Sequence, residues 1–492
     1  MPATTKAIPT AASVSGMTVR TRIAPAPSGY IHVGNARTAL YNWLFARQQG
    51  GLFVLRVEDT DAKRATQEGF EGALEDLRWL GLAWDEGPGA EGEYGPYRQS
   101  ERFERYRAAT LSLRESGHAY RCYCTAEEVA ARRAQKGRGA QGYDQHCRNL
   151  SESERSEFER AGRPPAMRFK VPGGRTISFE DVVRGRVETG TEQIADFVIQ
   201  RSDGSPTYLL AAGLDDLLMN ITHIIRGEDL IPATPRQILL REAMGATDVP
   251  VFAHLPLLVD KRGRPLSKRW GDVAVRSYRE QGFLSQAMVN YLALLGWSYD
   301  DRTNIFSLEE LVERFSLERV GRNPAAFDPN KLEWLNLHYI KQTEPSDLAR
   351  ELVPFCAAAG FEADVTVLEA VAPLLVERLR RLDEAPSMVR FLFEEVAPDN
   401  RARKVIEGQE DYLTAVADAL RGLHEWIAKA IEECLRELAS ERGLKPKQAF
   451  QPIRAAVTGT LVSPPLFESL EILGRSRTLE RIKRPTSKEA EP

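Results

Sequence analysis

Between residues 18 and 57 the chain changes its periodicity twice, and that double change restricts the fold more than any other feature. Thr18 to Ile23 alternates and carries β-branched residues, the pattern of a strand. Pro25, Pro27 and Gly29 break it. Gly34 and Asn35 then open a helix, with Asn35 read as N-cap and helical periodicity from Ala36 to Arg47. Gly50 and Gly51 end that helix, and Leu52 to Val57 is a short apolar run of buried-strand type. Strand, helix and buried strand at this spacing form a βαβ unit, which calls for a parallel sheet. The strand-to-helix loop then lies at the carboxyl edge of the sheet, where open α/β folds bind ligands. Free N–H groups and the positive dipole end at the helix start suit a phosphate. His32 can donate to a phosphoryl oxygen, and Gly34 leaves room for a flat base or sugar.

Charged residues recur where the other strands should end. Glu58-Asp59-Thr60-Asp61 follows the second strand; Glu58 can hold an ammonium group, and at least one of the next three caps the following helix. That helix reaches Leu80, with Phe70, Leu74, Leu77 and Leu80 on one face, and stops at Gly81. A Gly-Pro turn at 95–96 precedes a helix from Arg102 to Ser116. Arg163 to Val187 shows the alternation and glycine turns of antiparallel strands. Asp196 to Gln200 and Ile221 to Ile225 read as buried strands, the second ending in Arg226-Gly227-Glu228-Asp229. Thr234-Pro235 starts a helix, Val251 to Val259 is strand-like, and Asp260 to Leu266 is a charged hairpin or loop. From Leu284 the pattern turns helical, and residues 346–492 alternate amphipathic helices with polar breaks, as in a helical bundle.

With 492 residues the chain needs two to four cores. No apolar run spans a bilayer. Residues 1–16 read as a leader without the apolar segment of a signal peptide. The net charge of −4 means that a nucleic-acid partner would need local basic faces. Five unevenly spaced cysteines are not a disulfide framework, which fits a cytosolic protein. Cys122 and Cys124 form a C-x-C pair, with Cys147 further on and Tyr143 and His146 just before it. Such thiolates with a fourth ligand can build a tetrahedral zinc site, or they remain reduced cysteines in a metal-free module.

The stretches His32-Val-Gly34-Asn35 and Leu266-Ser267-Lys268-Arg269 together resemble the two signature motifs of class I aminoacyl-tRNA synthetases. The runs RVEDTD (56–61), DLRWLGL (76–82), DEGP (85–88) and GPYRQSER (95–102), and the stretch 443–482, resemble glutamyl-tRNA synthetase in the same order. The resemblance covers about residues 20 to 482. It implies an α/β class I fold: a Rossmann-type parallel sheet with an inserted α+β acceptor-binding module, then an all-α anticodon-binding region. The implied parts are a disordered leader (1–17), the first half of the catalytic domain (18–100), the insertion (101–207), the second half (208–260), a mobile-loop and stem-contact domain (261–345) and the anticodon-binding domain (346–492).

The implied activity is ligation of glutamate to tRNA-Glu, with tRNA-Gln as an open second acceptor, by a cytoplasmic, monomeric protein without a membrane anchor. ATP with Mg²⁺ is implied, and also one structural Zn²⁺ on Cys122, Cys124, Tyr143 and Cys147, with His146 as the alternative fourth ligand. The resemblance places His32, Gly34, Lys268 and Arg269 in catalysis, and Ala24, Gly29, His32, Gly34, Asn35, Asp229 and Lys268 around ATP. Glutamate has one ammonium and two carboxylates, so its site needs an anion and two cationic forks. Arg22, Glu58, Tyr208 and Arg226 match the family's pocket: Arg22 with Tyr208 for the side-chain carboxylate, Glu58 for the ammonium and Arg226 for the α-carboxylate, the two arginines being exchangeable. Ala26, Ala212 and Trp270 depart from the family pattern, which keeps open a synthetase-like tRNA-binding protein with weakened catalysis. A glutaminyl relative is disfavoured by the helical C-terminal half.

Replacing Lys268 by Ala is expected to slow glutamate-dependent pyrophosphate exchange, measured with tRNA present, by about two to three powers of ten, the effect of losing one charge-stabilising donor. An unchanged rate would remove Lys268 from that role.

Overall fold

The first βαβ unit forms as its pattern requires. In the computed structural model, which describes residues 18–27, 29–61, 65–90, 92–135, 142–266 and 274–484, strand β1 (Arg20–Ile23) leads through helix α1 (Val33–Gln48) to β2 (Leu52–Leu55). The two strands pair in parallel, Arg20 opposite Leu52 and Ile23 opposite Leu55. Helix α1 starts earlier than its sequence indicated. His32, in extended conformation, is the N-cap, and its Nδ1 accepts the Gly34 N–H at 3.1 Å, so Asn35 falls inside the first turn. The next helix, α2 (Gln67–Trp79), is capped by Thr66, whose Oγ1 accepts the Gly69 N–H at 3.0 Å. None of Asp59, Thr60 and Asp61 is its N-cap, contrary to expectation. Asp59 is held instead by the Ser100 N–H and hydroxyl, both at 2.7 Å, and by Arg98 Nε at 3.1 Å.

The chain continues through α3 (Phe103–Glu115), β3 (Ala119–Cys122), α4 (Ala126–Gln135), α5 (Glu152–Arg160), β4 (Ala166–Phe169), β5 (Thr176–Asp181), β6 (Gly185–Gly190), β7 (Phe197–Gln200), α6 (Tyr208–Leu218), β8 (His223–Gly227), α7 (Thr234–Ala243), β9 (Val251–Leu255) and β10 (Leu258–Val259). Strands β8 and β9 pair in parallel from His223 opposite Val251. The Thr222 N–H donates to Arg20 O at 3.0 Å, which sets β8 beside β1. On the other side β5 meets β9 in parallel at Asp181 and Phe252, and β6 folds back antiparallel on β5. The hydrogen-bonded orders are therefore β2-β1 and β8-β9-β5-β6, with β8 set beside β1. The antiparallel stretch recognised between Arg163 and Val187 is divided: β4 joins β3 and β7 in a three-stranded antiparallel sheet, whereas the β5–β6 hairpin extends the parallel one. The Val251–Val259 run is broken by Pro256 into β9 and β10, since proline cannot donate to a ladder.

A single apolar cluster fills the space between these layers. It includes Phe169 and Ile199 from the antiparallel sheet, Phe179, Ile224 and Phe252 from the parallel one, and Leu210, Leu214, Ile238 and Leu239 from α6 and α7. Burial at this density carries the hydrophobic stabilisation of the domain. Into it α6 inserts Asp215, whose carboxylate is fully buried and accepts from Arg102 Nε (2.7 Å), Tyr106 Oη (2.7 Å) and Gln99 Nε2 (2.9 Å). That set clamps the turn at 95–102 onto α6.

These elements belong to one compact unit, Met1–Ser277 with Met288–Asp328; the second is Tyr278–Ala287 with Pro329–Pro492. Between residues 329 and 484 the described residues contain helices and turns and no strand. The helices there are amphipathic: Tyr412, Leu413, Val416, Ala417 and Leu420 line the buried face of the one at Glu410–Arg421, and Ile431, Leu435 and Ala439 that of the one at Ala428–Glu441. Among the described residues no helix is long and apolar enough to cross a membrane.

Asp215→Ala leaves the Arg102 guanidinium buried without its carboxylate, a loss of roughly 3–5 kcal/mol for a broken buried pair. A loss of unfolding free energy of that size, read from the shift of the urea midpoint multiplied by the m-value, is expected, and a midpoint within the scatter of surface variants would contradict it.

Candidate active site

The carboxyl ends of β1, β2 and β8 open onto a cavity of about 420 Å³. Arg22, Ala24, His32, Gly34, Asn35, Glu58, Tyr208, Arg226 and Asp229 all line it, together with Arg37, Pro256 and Leu266. Gly29, expected beside the nucleotide, is not among the lining residues. It lies against the start of α2, where a Cβ on Gly69 would come within 2.7 Å of its backbone nitrogen. Lys268, Arg269 and Trp270 lie outside the described residues.

The start of α1 occupies one end. A backbone N–H can only donate, so the bond from Gly34 to His32 Nδ1 fixes the neutral tautomer with its proton on Nε2. His32 is thus set as a donor in the cavity wall, beside the positive end of the helix dipole. Arg37, one turn along, is buried and donates to the carbonyls of Pro256 (2.6 Å) and Leu295 (3.2 Å), which fastens α1 to the strand end opposite.

Buried charge crowds the other end. Asp216 of α6 accepts from Arg22 Nε (3.1 Å) and Nη2 (3.3 Å) and from Arg56 Nη1 (2.7 Å). Burial alone would raise the Asp216 pKa, but the two guanidinium groups hold it well below the carboxylate range. Arg56 bonds onward to Glu58 at 3.3 Å. Burial raises the pKa of Glu58 above its ordinary value, and the neighbouring arginines only partly offset it. A carboxylate whose charge is costly gains most from an arriving ammonium. Arg22 spends its Nε–Nη2 edge on Asp216 and reaches Ile225 O from Nη1 at 3.4 Å, so less of its fork faces the cavity than its sequence position suggested.

Arg226, at the end of β8, is differently placed. Its Nε donates to His254 Nε2 (3.1 Å), Nη1 to Gln237 Oε1 (2.8 Å) and Tyr208 Oη (3.4 Å), and Nη2 to Thr234 Oγ1 (2.8 Å) and Leu230 O (3.5 Å). Each of these acceptors is neutral. Burial lowers its pKa, as expected of a desolvated cation with no carboxylate bonded to it. Arg22, Arg56, Asp216 and Glu58 form one bonded set, whereas no carboxylate bonds Arg226 directly; Asp181 reaches it only through His254. The sequence reading missed Arg56, Asp216, Thr234, Gln237 and His254. Asp216 gave the one usable signal, an acid inside an apolar helical run.

A second cluster lies in the antiparallel module. The sulfurs of Cys122, Cys124 and Cys147 lie within 4.8 Å of one another. Tyr143 Oη is 3.4 Å from Cys122 Sγ and 3.6 Å from Cys124 Sγ, and accepts the Cys147 N–H at 2.8 Å. His146 is exposed and has no contact in that cluster. Arg132 Nη2 and Arg168 Nε approach Cys124 and Cys122 at 3.0 and 3.1 Å, which favours thiolates.

The family model for tRNA synthetases class I (E and Q), catalytic domain, matches residues 18–334, and that for an anticodon binding domain matches residues 347–485. The chain is 45% identical to a glutamate–tRNA ligase of Symbiobacterium thermophilum, over 95% of this chain and 99% of that one. It is 44% identical to one from Nocardioides, over 95% and 98%. A crystal structure of a glutamate tRNA ligase from Elizabethkingia meningosepticum, in complex with its amino acid, superposes with a TM-score of 0.83 at 33% identity, covering 96% of this chain and 99% of that one.

Proposed function

Because the chain belongs to the glutamate–tRNA ligase family of class I tRNA synthetases, we propose that it activates L-glutamate with ATP and transfers it to the terminal adenosine of tRNA-Glu. One observation carries the choice of substrate: Arg226, a buried guanidinium in the cavity wall that no carboxylate bonds directly, beside Glu58. Glutamate brings one ammonium and two carboxylates, and a carboxylate is the charged acceptor that Arg226 lacks. Glu58 takes the ammonium, Arg22 with Tyr208 takes the side-chain carboxylate and Arg226 the α-carboxylate, or the two arginines exchange. Glutamine is neutral overall and would leave one buried guanidinium without a counter-charge. Ala26 is exposed and Ala212 is buried within α6; neither lines the cavity, which supports an active enzyme over a retired one.

ATP enters as its Mg²⁺ complex at the other end, against Ala24, His32, Gly34, Asn35 and Asp229. Mg²⁺, when bound, neutralises phosphate charge. The His32 Nε2–H donates to a phosphoryl oxygen, and Lys268 and Arg269 supply the charge that meets the departing pyrophosphate. An oxygen of the glutamate α-carboxylate attacks the α-phosphorus, the bond to pyrophosphate breaks, and the mixed anhydride forms. A terminal ribose hydroxyl of the tRNA then attacks the acyl carbon, and AMP leaves. Positioning and fixed charge account for both steps, without a protein nucleophile. Residues 18–334 carry this chemistry and residues 347–485 bind the anticodon, in a cytoplasmic monomer.

One structural Zn²⁺ fits Cys122, Cys124, Cys147 and Tyr143, since three sulfurs and a phenol oxygen already converge there. It would cross-link the module and take no part in the chemistry. The purified protein is expected to hold about one zinc per chain, lost in Cys124→Ser, as a closed four-ligand site requires. Emission spectrometry reporting no zinc would leave a metal-free thiol cluster.

Charging assays with labelled amino acid test the main reading. The protein should charge tRNA-Glu with glutamate and prefer glutamate over glutamine by roughly four powers of ten in kcat/KM, the scale at which unpaired buried polar groups reject an analogue. Charging of tRNA-Gln as well identifies a non-discriminating enzyme. Folded protein that charges neither tRNA would refute the proposal.

A further inference from the structure

Arg226 is held from behind by residues that the substrate would not touch. An arginine Nε–H only donates, so its bond to His254 Nε2 at 3.1 Å requires a lone pair there. The ring proton must then sit on Nδ1, and Nδ1 lies 2.6 Å from Asp181 Oδ2. The second oxygen of Asp181 accepts the backbone N–H groups of Val183 (3.0 Å) and Arg184 (2.8 Å), which fixes the carboxylate at the turn between β5 and β6. His254 and Asp181 are both fully buried. Thr234 Oγ1 completes the arrangement, 3.2 Å from His254 Nε2 and 2.8 Å from Arg226 Nη2. The chain Asp181–His254–Arg226 thus begins in a hairpin inserted between the two halves of the nucleotide fold and ends at the cavity wall.

We infer that His254, oriented by Asp181, is a positioning residue that sets the Arg226 guanidinium for the carboxylate of the amino acid. The inference rests on the reading that Arg226 binds a substrate carboxylate. The physical reason is orientation. A guanidinium with only neutral acceptors has no ion pair to fix its plane, so its aim depends on the directionality of its hydrogen bonds. The Nε bond is the one that the substrate cannot replace, because the substrate meets the Nη edge. Burial lowers the His254 pKa, with the Arg226 charge acting in the same direction, which keeps the Nε2 lone pair available. A purely structural role for the pair is already covered by other bonds between β5 and β9: the Val182 N–H donates to Phe252 O at 2.9 Å, and the His254 N–H donates to Asp181.

The test compares two polar replacements with the native protein in glutamate-dependent pyrophosphate exchange, tRNA present. His254→Asn keeps an amide donor where Nδ1 was, so the tie to Asp181 survives, but it has no acceptor that reaches Arg226. His254→Gln can present Oε1 at the position of Nε2. The Asn variant should raise KM for glutamate about tenfold to a hundredfold, as for loss of one hydrogen bond to a charged group, with KM for ATP within about twofold. The Gln variant should recover most of that change. If Arg226→Gln raises KM for glutamate but His254→Asn does not, or if His254→Asn raises both KM values alike, the positioning role is overturned. If Arg226→Gln leaves KM for glutamate unchanged, the reading of Arg226 itself fails and the inference falls with it.

Discussion

Asp216 sits fully buried between Arg22 and Arg56, and the site could not exist in this form without it. The three residues come from β1, the residue just after β2, and α6, so one carboxylate joins segments separated by 160 and 194 residues. Burying three charges carries a desolvation cost that their attraction repays only when geometry and further hydrogen bonds are good. A hydrophobic trio of the same volume would hold the sheet to α6 at less cost. It would not leave guanidinium groups at the cavity floor. The arrangement makes sense as a foundation for charge recognition, in which a fixed anion stabilises cations that would otherwise repel one another.

The same logic extends outward. Behind Arg226, neutral acceptors replace the carboxylate, and orientation is handed to His254 and Asp181. Asp181 arrives on β5, which pairs in parallel with β9 and antiparallel with β6. Arg184, three residues on, forms an ion pair with Glu228, next to the cavity-lining Gly227 and Asp229. One hairpin turn therefore braces both ends of the cavity. It is continuous with the catalytic sheet in hydrogen bonding and in its apolar core, so a substitution in the turn should be felt in substrate binding.

What was legible in the sequence was local. The βαβ unit announced itself through periodicity, and the clusters at Glu58 and Arg226–Asp229 through their position after apolar runs. The misreadings have local causes as well. Asn35 is the stronger N-cap by residue type, but His32 already has the extended backbone and a ring nitrogen at the right distance. Asp59 is a good cap by type, but Ser100 and Arg98, some forty residues on, bind it first. The buried network was out of reach for a different reason. Asp216, His254 and Gln237 acquire their meaning from partners in other elements, and neither alternation nor helical spacing records such a pairing. His254 reads only as one residue of a strand-like run. Gly29 is not among the cavity-lining residues, and a loop glycine can serve close packing, here against Gly69, as readily as an approach to a ligand.

Under the proposed function the two ends of the cavity solve different problems, and their construction differs accordingly. A carboxylate is small and planar, and telling it from an amide takes a fixed fork in dry surroundings; that end is built from buried side chains bonded to one another. A triphosphate is large and strongly charged, and its charge moves as the reaction proceeds. Backbone N–H groups at the start of α1 and a histidine fixed by its own helix suit that task, since they offer donors without demanding one geometry. The lysine and arginine of the 266–269 motif would add charge where pyrophosphate leaves. Precision is thus confined to the end that selects, and tolerance to the end where bonds change.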